Sequence, residues 1–366
     1  MPSILAFTFL RKVRFVPGLI LATALLACKS GPPTSVDDLS PDTFTRAFTL
    51  AAVDTLPRDR NLHADHYPAS NERRIDLFEP QIRDLRGGYV GVGTDQNFTF
   101  IAWAKSDYAF LMDFDEVVVT VNKIHMYFLE ISPTYAEYRK LWARQSRQSS
   151  FEILKRRFEK TPDWAIVQAA FANAHRGGSD VPGRLDDLDY MAKNHALKTF
   201  SNDPAQYNYI REMVMRGRIQ AVPGDLTGSK SLHEISAAAR RIGIPIRVVY
   251  TSNAEEYFRY PENFRSNIAD LFVDEKSTMV RTATSGTKYE FGFPPGEKFM
   301  EMPFHYNVQP VSNFQTWMKF RRYQSILTVL RGRTPISQGF STVTKTPLDL
   351  GLKESGDIVK KPAGEW

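Results

Sequence analysis

The chain has 366 residues, enough for one large domain or two small ones. Its 42% hydrophobic and 24% charged residues are the balance of a globular protein. Setting aside Arg11, Lys12 and Arg14 of the leader lowers the formal charge from +6 to +3, with 44 basic against 41 acidic residues and no basic stripe, so nucleic acid is not an expected partner. The single cysteine excludes an intrachain disulfide and a cysteine-based zinc site.

In chain order, the basic run Arg11-Lys12-Val13-Arg14 precedes an uncharged apolar stretch, Phe15 to Ala27. That stretch is too short for a bilayer, which needs about 20 residues, and suits a signal peptide. It ends Leu25-Leu26-Ala27-Cys28 and so resembles the lipobox of bacterial lipoproteins, with Leu26 departing from the usual small residue. The resemblance implies lipidation of Cys28 as the mature N-terminus and a stable anchor once two or more acyl chains are attached. Lys29 is not the aspartate that retains enterobacterial lipoproteins at the inner membrane, so the cell envelope, at its outer membrane, is the expected location. An uncleaved anchor and a plain secretory signal are the alternatives.

Residues 29–43 are rich in Pro, Ser, Gly and Asp and read as a flexible tether; 44–80 read as a partly helical extension. The domain is expected over 44–332. Gly88 to Val92 and Tyr108 to Met112 are predicted strands, with a helix from Phe98 to Lys105 between them and another from Val117 to Ile131 after them. Residues 134–216 read as a helical insertion opened by a Thr134/Glu137 capping box. Strands are predicted again at Ile219 to Pro223, Ile244 to Tyr250, Ser277 to Thr284 and His305 to Val311. A Ser231/Glu234 box opens the intervening helix and Gly243 stops it. Residues 333–366 read as a loose tail. Alternating β and α with a closing antiparallel strand predicts an α/β, doubly wound, mostly parallel sheet of Rossmann-like type.

Such sheets bind ligands beyond the carboxyl ends of their strands. Gly91 and Gly93 stand at the first end, with Asp95 and a helix N-terminus beyond. Asp113 and Asp115 stand at the second, where a carboxylate accepts ribose hydroxyls. Asp225 stands at the third, and Ser252 and Asn253 at the fourth. This order resembles the class I S-adenosylmethionine-dependent methyltransferases and an uncharacterised bacterial family of methyltransferase-like proteins, over roughly half the chain. The resemblance implies an S-adenosylmethionine or related nucleoside ligand. Gly91, Gly93 and Asp95 would hold its amino-acid end, Asp113 or Asp115 its ribose and Asp225 its base, with Ser252 and Asn253 on the acceptor side. Tyr89 departs from the acid expected before Gly91, and Asp95 from a third glycine. Export also separates the protein from the cytoplasmic donor, so a non-enzymatic module with a degenerate pocket is the alternative.

Other constellations carry less. The Gly224–Ser231 loop has the wrong spacing for a phosphate loop and reads as a helix start. His63-Ala-Asp65-His66 lacks metal-ligand spacing, and no metal is expected. Asp186, Asp187 and Asp189 read as a solvated helix start. His175, Arg176 and His305-Tyr306-Asn307 are candidates for the border of a cleft as acid/base groups, although isolated histidines are more often structural.

Overall fold

Tyr108, Phe110 and Met112 alternate along one strand with Ala109 and Leu111, yet all five are buried, which happens only when both faces of a sheet are covered. The computed structural model describes residues 33–56, 66–285, 297 and 304–350, all within a unit spanning Pro32–Trp366; Cys28, the leader, His63 and Asp65 lie outside the described residues. One eight-stranded sheet runs β3-β2-β1-β4-β5-β6-β8-β7. The strands are β1 (Gly88–Val92), β2 (Tyr108–Asp113), β3 (Ile219–Pro223), β4 (Ile246–Ser252), β5 (Thr278–Thr284), β6 (Phe304–Pro310), β7 (Thr334–Ser337) and β8 (Phe340–Thr342). The first five are parallel, β6 is antiparallel to β5, and β7 is antiparallel to β8. The protein is therefore α/β with a mixed, mostly parallel sheet.

The helices Gln96–Ala104 and Glu116–Ile131 cover one face with Tyr89, Leu111 and Tyr250. The helices Ser231–Ile242, Glu262–Asp270 and Val311–Met318 cover the other with Val90, Phe110 and Met279. Helices leaving β1 and β4 thus lie on opposite faces, and the carboxyl ends of these neighbouring strands form the switch point of the sheet. Of the five α-helices between Tyr135 and Met215, Tyr135–Trp142, Trp164–Asn173 and Pro204–Met215 pack beside Glu116–Ile131, the first opened by the Thr134/Glu137 box.

Three expectations need correction. Residues 33–43 are no tether: a capping box at Ser35 precedes the buried Val36, and Ser40 caps the helix Pro41–Phe48. Phe48 of that helix packs against Phe110 at 4.5 Å between ring centroids, burial worth about 2–3 kcal/mol. Nor is 333–342 loose, because Phe340 and Val343 need cover and β8 pairs with β6 to bring it. The Ser231/Glu234 box is not formed; Glu234 instead accepts the Ala51 N–H, and the helix is capped from a distance.

Each face also buries charge. On the second, Glu255 and Arg281 are both 1% exposed at 3.1 Å. Tyr260 and Thr251 donate to Glu255, while Arg281 donates to Asn307 and Gln309 and lies over Phe314. Removing one partner strands a charge without water, which costs about 3–5 kcal/mol. The exposed Arg139–Asp186 pair is worth under about 1 kcal/mol. Urea unfolding is expected to show Glu255→Gln destabilised by several kcal/mol and Asp186→Asn nearly unchanged; equal effects would contradict this assignment.

Candidate functional site

The residues picked out at the strand ends divide into three groups. Around β1 and β4 the crevice is filled by segment 66–77, which crosses the carboxyl ends as a strap. Glu72 points inward from it at 1% exposure and accepts from Ser252 Oγ at 2.8 Å, Thr282 Oγ1 at 2.7 Å and Gln96 Nε2 at 2.5 Å. Gln96 also donates to Tyr250 Oη. The buried side chains of Asp95 and Arg184 pair at 2.9 Å. Arg184 further donates to the Glu72 carbonyl and to Gln96 Oε1, and Ser70 N–H reaches the second Asp95 oxygen. Both Asp95 oxygens are therefore engaged inside the protein, which corrects its expected role at a donor's amino-acid end. Gly91 is required for a different reason than ligand approach: a Cβ there would run into Asn97 Oδ1 and the Tyr89 ring, which are bonded to each other.

The second group lies beside β2. Gly93 adopts the left-handed region, at φ +85, facing open space. Its N–H donates to Asp113 Oδ2 at 3.2 Å, and its carbonyl accepts from Asn122. Asp113 also accepts the Asp115 N–H. Burial pushes its pKa up to about 7, the backbone bonds from Asp115 and Gly93 pulling against it and the Asp115 charge adding to it. Asp115 caps Glu116–Ile131 through Val117 N–H and accepts from His66 Nδ1 at 2.6 Å. This leaves His66 Nε2 as the outer nitrogen of an aspartate-oriented imidazole. The cluster can hold hydroxyl donors and exchange a proton near neutral pH.

Asp225 stands apart at the β3 end, its carboxylate turned onto Thr227 N–H and Oγ1. The helix start beyond it is occupied by Asp54 of the N-terminal arm, which accepts from Asp225, Ser229, Lys230 and Ser231 N–H. A Cβ at Gly228 would run into that carboxylate. Asn253 reaches Tyr257 Oη at 3.4 Å. His175 packs on Trp142 and Phe171, and His305 bonds Ser341, its pKa pushed down to about 4 by burial. Asp186 and Asp189 pair with Arg139, and Asp187 with Arg73.

A family model described as a domain of unknown function, DUF7790, matches residues 67–345. The chain belongs to the DUF7790 family. The DUF7790 match opens at the strap and closes just past β8, so the filling of the crevice and the edge hairpin both fall within the region the family defines, while the arm at 33–56 precedes it. No curated protein matches the chain.

Glu72, Arg184, His66 and Asp54 were not singled out for these roles from sequence. Only His66 carried a signal, its closeness in sequence to His63 and Asp65. For Asp113 the sign of the pH effect follows from the raised pKa: its contribution to stability is fully present below about pH 4 and is lost as pH rises through about 7. Asp113→Asn is expected to lower stability by about 1 kcal/mol at pH 4, where it loses one backbone bond, and to flatten the decline between pH 4 and 8. A carboxyl carbon resonance of Asp113 titrating near 4 would refute the shift.

Proposed function

We propose that this is a lipid-anchored protein of the bacterial cell envelope in which a Rossmann-like, methyltransferase-like domain serves as a non-enzymatic interaction or structural module. The observation that carries this reading is the Glu72–Gln96–Arg184–Asp95 network, which occupies the switch-point crevice with the chain's own side chains. Sheet order supports the Rossmann-like part: β3-β2-β1-β4-β5 is parallel throughout and has helices on both faces. The envelope part rests on the leader and Cys28.

A second reading, a nucleoside-type ligand held by its ribose, is favoured by one observation. Gly93 faces open space beside Asp113 and Asp115. Catalysis by methyl transfer would then need the donor methyl placed against a nucleophile, and Asp95, buried with Arg184, is not available to steady the donor.

Calorimetric titration of the detergent-solubilised full chain with S-adenosylmethionine separates the readings. No heat at millimolar ligand is expected; saturable binding abolished by Asp115→Ala would replace the first reading by the second. Mass spectrometry of the mature N-terminus is expected to show acylated Cys28, and an unmodified Met1 would remove the anchor.

A further inference from the structure

The described chain begins at Pro33, and its place in the fold limits how an anchored molecule can stand on a membrane. Pro33 packs against Gly243, which ends the helix leading into β4. Ser35 bonds Asp107, one residue before β2, and Asp37 pairs with Arg218, one residue before β3. All three contacts lie at the amino ends of the parallel strands. The first residues of the body are thus fixed at one pole of the sheet, opposite the strap and the His66–Asp115 cluster.

Five residue steps separate Cys28 from Pro33, a contour of at most about 18 Å. The strands themselves, five to seven residues long, are about 17–23 Å deep before any loop is added. We propose that the amino-end pole of the sheet is the membrane-facing surface and that the carboxyl-end pole, with His66, Asp113 and Asp115, is held away from the bilayer. This inference rests on the anchored reading above. The body can roll on so short a leash, but its own depth keeps the opposite pole from reaching the lipid.

The surface presented has a chemistry suited to headgroups. Arg86, just before β1, and Arg241, at the end of Ser231–Ile242, are exposed there and have no carboxylate partner among the described residues; Arg241 donates only to the carbonyls of Ala47 and Thr49. Helix carboxyl termini at this pole favour positive charge, and its acids Asp37, Asp84, Asp270 and Asp274 are paired with Arg218, Lys105, Arg240 and Arg247, with Asp38 and Glu275 exposed beside them. The occupant inferred is the phosphate layer of the membrane that carries the anchor, each guanidinium near it adding attraction that salt screens.

The full chain, purified with its lipid and reconstituted in vesicles carrying a headgroup quencher, tests this. Acylation leaves no native thiol, so single labels can be placed at Arg86→Cys and Glu275→Cys on the amino-end pole and at Tyr257→Cys, 69% exposed, on the other. Strong quenching at 86 and 275, several-fold above that at 257, is expected. Equal quenching, or the reverse order, in vesicle-bound acylated protein would overturn the orientation alone. Protein that stays off the vesicles and labels at Cys28 would overturn the anchor and the orientation with it.

Discussion

Asp95 has no access to water, and a carboxylate in that position survives only beside a cation. Arg184 supplies it from a helix 89 residues further along the chain, and in reaching Asp95 it also binds the Glu72 carbonyl and Gln96. One guanidinium therefore holds three segments in register: the strap, the turn after β1 and the helical insertion. Its rigid fork of donors suits this work, which a lysine could not do with the same geometry. Glu72 then extends the network to β4 and β5 through Ser252 and Thr282, so the crevice cannot open at one point without exposing unpaired groups at several.

The strands were legible because burial on both faces leaves near-continuous apolar runs. Expected strands at 88–92 and 219–223 match the observed ones, and those near β4, β5 and β6 differ by one or two residues at their ends. Thr134/Glu137 succeeded as a cap because both partners are local. Ser231/Glu234 failed because a distant carboxylate, Asp54, takes the Ser231 N–H, while the Glu234 N–H bonds the Lys230 carbonyl. Local patterns also missed β7 and β8, which are four and three residues long, with every residue of β7 exposed, so that no apolar period marks it.

The site was legible by residue type and opaque in its pairing. Gly93, Asp113 and Asp115 do meet at one corner, as carboxyl-end positions on neighbouring strands must. Gly91 was the right residue for a wrong reason, since its missing Cβ makes room for Asn97 and Tyr89 rather than for a ligand. The strap could not be read because Glu72 meets Ser252 and Thr282 from 180 and 210 residues away along the chain, and polar residues without period look like a loop.

That the filling is polar follows from what the crevice exposes. Carboxyl ends of parallel strands and the start of a helix leave backbone N–H groups and hydroxyls without partners. An apolar plug would abandon them, at about 1–3 kcal/mol each, so side chains that take the crevice must offer the hydrogen bonds a ligand would have offered. Glu72 and Asp95 do this, and Asp54 does the same at the helix after β3. In two separate places the chain brings its own carboxylate to a position where a sheet of this order would receive an acidic or polar ligand. Fold and occupancy are thus separable properties of one architecture, and the second, set by a few long-range contacts, is the one on which function depends.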